Sequence, residues 1–213
     1  MNLDRIERPL CMAGLVLLSP VLAAVAVAVA LEDGRPVLFR QVRAGRNGSP
    51  FNLLKFRSMR VTGAGTRVTA SGDSRITRTG RILRKFKLDE LPQLWNVVRG
   101  DISLIGPRPE VPAFVDLADP AWREVLEVRP GITDLATLVF RNEEQILGAH
   151  SDPEYAYRRQ ILPAKLQLNL LYIRHRSLLT DLRLLAMTIY LSLMPDHFDS
   201  GQIQRQILGD ARS

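Results

Sequence analysis

The chain has 213 residues, which is enough for one domain of ordinary size with appendages and too few for a second full domain. A formal net charge of +7 and a sequence pI of about 10.2 indicate an anionic partner: nucleic acid, a membrane surface or phosphorylated small molecules. The single cysteine, Cys11, excludes an internal disulfide framework and a cysteine-based zinc site, and the three histidines are too scattered to bind a metal together. Any metal is therefore expected to be a hard ion with oxygen ligands.

An uncharged apolar run from Leu10 to Leu31 predicts a membrane helix. Its 22 residues, at about 1.5 Å per residue, suffice to cross a hydrocarbon core about 30 Å thick. A secretory signal peptide is the competing interpretation, because the run is N-terminal and follows Arg5 and Arg8. The run exceeds the roughly 7 to 15 apolar residues of such signals, which favours the membrane helix.

Ser19 and Pro20 stand near the middle of this run and predict a break in the helix. Pro20 removes a backbone hydrogen bond and clashes with the preceding turn. Two arrangements remain open: a re-entrant helix with both ends on the cytoplasmic side, and an ordinary kinked helix that spans the bilayer. Basic residues, which are typical of cytoplasmic flanks, stand at both ends. They are Arg5, Arg8, Arg35, Arg40 and Arg43.

A β-hairpin is predicted after the apolar run. Residues 36–43 and 51–56 have the composition of strands, and Asn47-Gly48 between them is typical of a turn. The second strand leads into Lys55-Phe56-Arg57-Ser58-Met59, whose cations are either edge-strand charges or groups ready to hold a phosphate. Residues 61–75, rich in glycine, serine and threonine, predict a flexible surface loop and a candidate lid.

Two short helices are predicted within residues 79–101. Pro92 is tolerated only in the first turn of a helix, so the second helix is expected to begin near Asp89 or Glu90. Adjacent acids at a helix start, close to the four basic residues of segment 81–87, suit phosphate chemistry or an anionic nucleophile. The competing interpretation is that Asp89 only caps the helix and Glu90 supports its first turn.

A rigid corner follows these helices. Residues 102–105 predict a short buried strand, which ends at Gly106-Pro107-Arg108-Pro109. The two prolines hold the backbone of Arg108 in place, while its guanidinium stays free to grip a phosphate through two hydrogen bonds. The alternative is a plain turn with an exposed arginine.

The C-terminal half is predicted to be mainly helical. Residues 121–128 predict one helix, and Asp152 with Pro153 predicts the start of another that stops before Pro163. Two amphipathic helices follow, with faces that pack on a core or lie in the bilayer interface. These faces are marked by Leu166, Leu170 and Ile173 and by Leu182, Leu185 and Ile189.

The predicted fold class is therefore α+β, in three parts. Residues 1–31 are expected to form a membrane-inserted helix, either re-entrant or kinked and spanning. Residues 32–195 form a small, mostly helical cytosolic domain with a short β-hairpin and interfacial amphipathic helices. Residues 196–213 form a polar tail.

Four motifs occur in a fixed order along nearly the whole chain, from about Leu10 to about Leu191. They are the apolar segment with Ser19-Pro20, then Lys55-Phe56-Arg57-Ser58-Met59, then Leu88-Asp89-Glu90-Leu91-Pro92-Gln93-Leu94, and finally Gly106-Pro107-Arg108-Pro109. Together they resemble the bacterial sugar transferases known as monotopic polyprenol-phosphate phosphoglycosyl transferases. One of these motifs alone is a weak signal, whereas four in this order are a strong one.

The resemblance implies an enzyme that transfers a phosphosugar from a UDP-sugar to undecaprenyl phosphate, releases UMP and starts a membrane-bound oligosaccharide. It implies that Asp89 is the nucleophile and forms a covalent phosphosugar intermediate, and that Asp89 and Glu90 hold Mg²⁺. A carboxylate attacks phosphorus only when the negative charge of the diphosphate is masked, which Mg²⁺ and arginines provide.

Further positions also match the family. Lys55, Arg84 and Arg108 match residues associated with phosphate or nucleotide contacts, and Ser19 and Pro20 match the break that makes the family's membrane helix re-entrant. The implied location is the cytoplasmic face of the bacterial inner membrane, with its lipids as partners and no nucleic acid. Whether the chain forms a homo-oligomer is left open.

The chain departs from a common family pattern after Pro130-Gly131-Ile132-Thr133. Many members continue with Gly-Trp or Gly-Leu-Trp and then a Gly-Arg-Asn-like stretch, whereas this chain continues with the different residues 134–142. The departure leaves the identity of the sugar open and does not touch the acid pair.

Two rival functions fit part of the pattern. A membrane-tethered nucleic-acid-binding protein would explain the net charge, but Asp89 and Glu90 would repel nucleic acid. An inactive scaffold that recruits glycan enzymes would have no use for adjacent acids in a basic pocket.

Overall fold

The computed structural model describes residues 4–60 and 68–199, and these residues form an α+β fold dominated by helices, as predicted. The helices are α1 (Asp4–Leu17), α2 (Ser19–Asp33), α3 (Arg78–Lys85), α4 (Gln93–Arg99), α5 (Pro120–Glu127), α6 (Leu135–Val139), α7 (Glu143–Gly148), α8 (Pro153–Ala156), α9 (Leu162–Arg174) and α10 (Leu178–Leu193). The strands are β1 (Leu38–Ala44), β2 (Pro50–Phe56), β3 (Ser103–Ile105) and β4 (Gly131–Thr133). The division into three parts stays a prediction.

The predicted break in the N-terminal helix is present. The segments Ile6–Leu17 and Ser19–Asp33 meet at 62°. Pro20 lies in the first turn of α2, where its missing N–H is tolerated, so the break falls just before it. Within the described residues no single helix is long and apolar enough to cross a membrane, although the bent pair together has the length and composition to do so.

The bent pair also packs on the rest of the fold. Cys11 of α1 is buried in one cluster with Leu53, Val97 and Ile102. Val25 and Val29 of α2 are buried in another with Phe56 and Leu83. Other side chains of the pair face outward: Val16, Leu17 and Leu31 are 69%, 80% and 83% exposed. One side of the pair is thus fixed to the domain, while the other offers an apolar surface.

A polar clamp at the end of α2 joins it to the second motif. The Arg57 guanidinium donates hydrogen bonds to the backbone oxygens of Asp33 and Gly34 and forms an ion pair with the Asp33 carboxylate. The Glu32 carboxylate accepts hydrogen bonds from the backbone N–H groups of Arg78 and Thr79 at the start of α3, both at 2.7 Å. The position of α2 is therefore tied to the strand that carries Lys55.

The predicted hairpin is confirmed. Strands β1 and β2 pair antiparallel from Leu38 with Phe56 to Ala44 with Pro50, around a turn at Arg46–Gly48. Asn47 adopts a left-handed conformation with φ of 56°, which asparagine tolerates better than most residues. Of the predicted loop 61–75, residues 61–67 lie outside the described residues, and residues 68–75 form turns and bends.

The predicted strand before the Gly-Pro-Arg-Pro corner is also present, and its partner is the short strand β4. Strands β3 and β4 pair in parallel, with Ser103 opposite Gly131 and Ile105 opposite Thr133. The two backbones touch just beyond Ile105, because a Cβ on Gly131 would lie 2.2 Å from the Gly106 nitrogen. This close approach brings the arginine corner beside the segment that follows Thr133.

The predicted start of the second central helix needs correction. Helix α4 begins at Gln93 rather than near the acids. Asp89 and Glu90 instead lie in a single 3₁₀ turn, Leu88–Glu90, which follows Lys87 in a left-handed conformation with φ of 57°. No capping hydrogen bond from Asp89 is present among the described residues, so the capping interpretation fails.

The predicted helix stop before Pro163 is wrong. Asp152 caps α8 as expected, accepting a hydrogen bond from the Tyr155 backbone N–H. The chain then continues through a π turn, Tyr157–Ile161, directly into α9. The wider turn ends two residues before Pro163, whose ring and missing N–H interrupt the regular hydrogen-bond ladder.

The two predicted amphipathic helices correspond to α9 and α10. Tyr172 of α9 and Leu184 and Leu191 of α10 are buried in one core cluster. The cluster also contains Ile105 of β3 and Leu135 and Leu138 of α6. On α10, Leu182 and Ile189 of the predicted apolar face are 54% and 53% exposed, so most of this face lies on the outside. Whether this face lies in a bilayer interface stays a prediction.

Candidate active site

A cavity of about 420 Å³ lies among the hairpin, the arginine corner, and helices α6 and α9. Its volume is in the range of roughly 300–1,000 Å³ found for small-molecule sites. Its wall contains all the site residues predicted for the domain, brought together from four separate segments. They are Lys55, Arg84, Asp89, Glu90 and Arg108. Ser19 and Pro20 lie elsewhere, at the start of α2.

Glu90 is the most heavily engaged of these residues. Arg108 donates two hydrogen bonds to its carboxylate, Nη1 to Oε2 at 3.1 Å and Nη2 to Oε1 at 2.5 Å. Lys55 Nζ contacts Oε1 at 3.1 Å. Burial alone would raise the pKa of Glu90, but Arg108, then Lys55 and Lys87, outweigh it and hold the pKa well below its ordinary value. Glu90 is therefore an anion held by two cations.

Asp89 has the opposite environment. Its side chain is buried, and its Oδ1 atom has no hydrogen-bond partner among the described residues. Burial first, and then the charge of Glu90, raises the pKa of Asp89. The unpartnered oxygen costs free energy unless a ligand or ion completes its contacts. Of the two adjacent acids, Asp89 is thus the one with a carboxylate oxygen left for chemistry.

Lys55 reaches the cavity from the end of β2, where it pairs with Phe39 of β1. Burial lowers the pKa of its ammonium group to about 8, although Glu90 opposes this shift. The Lys55 charge is consequently sensitive to pH in the alkaline range.

Arg84 lies on α3 and pairs with Glu144 near the start of α7. It also donates a hydrogen bond to Ser58 Oγ at 3.4 Å. The Glu144 side chain is 40% exposed, so water screens this ion pair. A substrate phosphate would therefore compete for Arg84 against a weaker partner than the one that holds Arg108.

The sequence predicts that the guanidinium of Arg108 is free, whereas in this structure Glu90 occupies it. The backbone N–H of Arg108 donates to Asp134 Oδ2 at 2.9 Å, and its side-chain Nη1 donates to the Ile132 backbone oxygen at 3.0 Å. The prolines of the corner are thus only part of what fixes this residue.

Asp134 is a site residue that sequence reasoning missed. Its side chain is fully buried, caps α6 through the Thr137 backbone N–H and accepts the Arg108 backbone N–H through its other oxygen. The available signal was an aspartate directly before an apolar run, which is typical of an N-cap. The contact with Arg108 required the pairing of β3 with β4, which no local pattern shows.

A second missed cluster surrounds Glu110. Its carboxylate accepts hydrogen bonds from Arg43 and Tyr157, two residues that also line the cavity. Arg43 additionally bonds Gln41 Oε1. Arg141 lines the cavity too, and its Nη2 donates to the backbone oxygen of Leu191 at 2.7 Å. The cavity therefore has a cationic wall larger than the motifs indicate.

The donor set fits a hard metal ion that the substrate helps to bind. Among the residues that the structure describes, no cluster of three His, Cys, Asp or Glu side chains forms a site made of protein alone. Mg²⁺ commonly uses one or two carboxylates together with substrate phosphates and water. The unpartnered Asp89 oxygen among phosphate-binding cations suits that mode.

The arrangement is suited to reactions of anionic phosphate esters. Cations line the wall, one buried carboxylate oxygen is unpaired, and Asp89 and Glu90 are held in different states by their surroundings. Preorganised charges of this kind stabilise a transition state at phosphorus.

Comparison with known proteins agrees with this chemistry. A family model described as bacterial sugar transferase matches residues 4–194. A UDP-glucose:undecaprenyl-phosphate glucose-1-phosphate transferase of Caulobacter vibrioides is 38% identical over 186 residues, covering 85% of this chain and 66% of its own length.

Two further relatives cover much less of their own length. An undecaprenyl-phosphate glucose phosphotransferase of Komagataeibacter xylinus is 40% identical, covering 82% of this chain and 32% of its own length. A UDP-N-acetylgalactosamine-undecaprenyl-phosphate N-acetylgalactosaminephosphotransferase of Aeromonas hydrophila is 45% identical, covering 58% and 30%. The chain therefore spans between about a third and two thirds of the length of these relatives.

Proposed function

Because this chain belongs to the bacterial sugar transferase family, we propose that it transfers a phosphosugar from a UDP-sugar to undecaprenyl phosphate and releases UMP. The names of the relatives support both substrates. The observation that carries the proposal is the contrast between the two adjacent acids: Glu90 is held by two cations, whereas Asp89 has an unpartnered oxygen in the same cavity.

In the first step the Asp89 carboxylate is the nucleophile. One of its oxygens forms a bond to the phosphorus that carries the sugar, and the bond from that phosphorus to the UMP oxygen breaks. The electron pair leaves with UMP, and the enzyme holds an acyl phosphate in which Asp89 is esterified to the phosphosugar. No proton has to move, because nucleophile and leaving group are both oxyanions.

In the second step a phosphate oxygen of undecaprenyl phosphate attacks the same phosphorus. The bond to Asp89 breaks and its electron pair returns to the carboxylate, so the nucleophile is regenerated. The product is undecaprenyl-diphosphate-sugar. Splitting the transfer into two displacements is a common role of carboxylate nucleophiles.

The surrounding cations reduce the repulsion between Asp89 and the diphosphate. Lys55 and Arg84 contact carboxylates that a phosphate can replace at the cavity wall. Arg108 holds Glu90 and is itself fixed by Asp134. Charge stabilisation of this kind is worth several kcal/mol when it acts in a dry, fixed site.

Asp89, with Glu90 beside it, would hold Mg²⁺ together with the substrate phosphates. A bound Mg²⁺ supplies charge neutralisation at the diphosphate. The Glu90 oxygens meet cations in this structure, so Asp89 is the more direct ligand of the two.

The bent helix pair would anchor the enzyme at the cytoplasmic face of the bacterial inner membrane as a re-entrant helix. The 62° bend and the outward apolar side chains of α1 and α2 support this arrangement. The exposed Leu182 and Ile189 of α10 would lie in the bilayer interface. Undecaprenyl phosphate would then reach the site from the same membrane.

An assay of UMP release tests the function. The full chain in detergent or lipid nanodiscs is incubated with undecaprenyl phosphate, Mg²⁺ and each of several UDP-sugars. We expect UMP together with undecaprenyl-diphosphate-sugar for at least one donor. A chain that binds UDP-sugars but never releases UMP would be a scaffold, and the proposal would be wrong.

A further inference from the structure

Two uncharged polar side chains in the cavity wall have atoms without partners. Thr137 on α6 and Asn169 on α9 both line the cavity. Thr137 Oγ1 and Asn169 Oδ1 are buried and have no hydrogen-bond partner among the described residues. Asn169 is only 7% exposed. We call these two residues the neutral recess.

Buried polar atoms without partners are uncommon, because they lose their hydrogen bonds to water and gain nothing in exchange. In a cavity wall such atoms indicate a ligand that completes the hydrogen bonds. Two of them, on helices that pack against each other, therefore point to a binding subsite rather than to an isolated packing defect.

The chemistry of the neutral recess differs from that of the rest of the wall. Lys55, Arg84 and Arg108 are cations suited to phosphate, whereas a carboxamide and a hydroxyl suit uncharged groups that donate and accept hydrogen bonds. A UDP-sugar carries such groups at both ends, on the sugar and on the nucleoside. The position of the recess decides between them.

The recess is linked to the reacting end of the cavity through one carboxylate. Asp134 accepts hydrogen bonds from the backbone N–H groups of both Thr137 and Arg108, and Arg108 holds Glu90 beside Asp89. The sugar is bonded to the phosphorus that Asp89 attacks, whereas the nucleoside is one phosphate further away.

From this placement we propose that Thr137 and Asn169 bind hydroxyl or acetamido groups of the transferred sugar and contribute to the choice of sugar. The inference rests on the proposed function. Sites that hydrogen-bond a substrate hydroxyl discriminate strongly against analogues that lack it, because the buried protein groups are then left unpaired. Thr137 also lies within residues 134–142, where the sequence departs from the common family pattern.

Two variants test the recess. Asn169→Leu and Thr137→Val remove the hydrogen-bonding atoms with little change in volume. Gln167→Leu is the matched control, because it replaces a carboxamide on the same helix at an exposed position. Removing an unpartnered buried atom should leave the melting temperature unchanged or higher. If Asn169→Leu does not fold, Thr137→Val alone decides.

The readout compares UDP-sugar with UMP, which lacks the sugar. Affinities are measured by calorimetry in the Asp89→Asn background, with and without each recess substitution, so that the donor is not consumed; UDP-glucose, UDP-galactose, UDP-N-acetylgalactosamine and UMP are the ligands. We expect the recess variants to lose about three- to tenfold in affinity for the preferred UDP-sugar, the value of one neutral hydrogen bond. Affinity for UMP should not change, and the affinities for the three UDP-sugars should become more alike.

Equal losses for UDP-sugar and UMP would overturn the inference, because the recess would then bind the nucleoside. Unchanged affinity for every ligand would overturn it as well. The proposed function is judged separately: absence of turnover by wild type with all donors would contradict it, while the binding comparison would still decide on the recess.

Discussion

Arg108 and Glu90 form a bidentate pair, with Nη1–Oε2 and Nη2–Oε1 distances of 3.1 Å and 2.5 Å. Arg108 neutralises the charge of the Glu90 carboxylate. The neighbouring Asp89 is left as the carboxylate with an unpartnered oxygen. Two acids that are adjacent in sequence thereby have different ionisation behaviour, and pairs of this kind often divide two chemical roles.

Asp89→Asn is expected to stabilise the protein while abolishing turnover. Burial, and then the charge of Glu90, raises the pKa of Asp89, so folding favours its protonated form. The stability that the protonated carboxyl contributes is therefore lost as pH rises through the pKa of the folded state. The amide removes that cost at pH 7. The gain in melting temperature should vanish below pH 3.8, where the carboxyl is protonated in both states. If Asp89→Asn melts at a lower temperature than wild type at pH 7, the raised pKa of Asp89 is wrong.

Glu90→Gln is expected to destabilise the protein and to slow the reaction without abolishing it. Arg108 and Lys55 hold the pKa of Glu90 below its ordinary value, so its stabilising effect is present above pH 4.5 and is lost as pH falls through the folded pKa. Removing the charge leaves Lys55 and Arg108, which are partly buried, without their anionic partner, at a cost of up to about 3–5 kcal/mol. Denaturant unfolding at several pH values measures the free energy of unfolding lost in Glu90→Gln. If this loss is as large at acidic pH as at pH 7, the ionised Glu90 is not what stabilises the fold.

Arg108→Lys is expected to lower kcat/KM by about tenfold or more, since lysine cannot reproduce the fork that holds both oxygens of Glu90. The control is Arg99→Lys, which makes the same change at an exposed arginine paired with Asp101. Steady-state kinetics with UDP-sugar would show the difference. Equal activity of the two variants would mean that Arg108 has no special role.

Much of this site was predictable from local sequence. The spacing and proline content of residues 79–101 and 106–109 indicate which residues carry the chemistry, and all five predicted domain residues share one cavity. Charge partners were not predictable, because Arg108 meets Glu90 only after β3 pairs with β4 and the corner folds back. The sequence therefore predicts that the Arg108 guanidinium is free to bind a phosphate, whereas in the fold it binds the Glu90 carboxylate.

The errors in the fold have similar causes. Helix α4 begins late because the backbone turns at left-handed Lys87 and closes a 3₁₀ turn before Pro92, a choice that side-chain spacing does not specify. Pro163 was taken as a stop, although it is accommodated beside a π turn. On α10 the buried residues are Leu184 and Leu191 rather than Leu182 and Ile189, because both faces are apolar and only tertiary packing distinguishes them.

Lys55 is expected to give the reaction an alkaline limit. Burial lowers its pKa to about 8, so kcat/KM for UDP-sugar should fall as pH rises through about 8 and the ammonium loses its proton. Lys55→Arg keeps the charge at that pH and should move the limit upward. A pH profile of kcat/KM for both enzymes checks this. An identical limit in the variant would assign it to another group.

Pro20→Leu is expected to favour a straight helix that crosses the membrane. In the Cys11→Ser background, Ile6→Cys and Arg35→Cys, made separately, each place one cysteine at an end of the bent pair. With Pro20 present, neither should react with a membrane-impermeant thiol reagent applied from the periplasm, and both should react after permeabilisation. With Pro20→Leu, the cysteine at Ile6 should become reactive from outside. Periplasmic labelling of that cysteine with Pro20 intact would contradict the re-entrant arrangement.

The central claim is that Asp89 becomes covalently linked to the phosphosugar. The chain is incubated with UDP-sugar and Mg²⁺ but no undecaprenyl phosphate; assay of released UMP and mass spectrometry of the digested chain test the claim most directly. We expect release of UMP up to one equivalent and a phosphosugar adduct on the peptide that contains Asp89, absent in Asp89→Asn. If donor alone never yields UMP or an adduct, while donor and undecaprenyl phosphate together react at once, the transfer is direct and the covalent role of Asp89 is wrong.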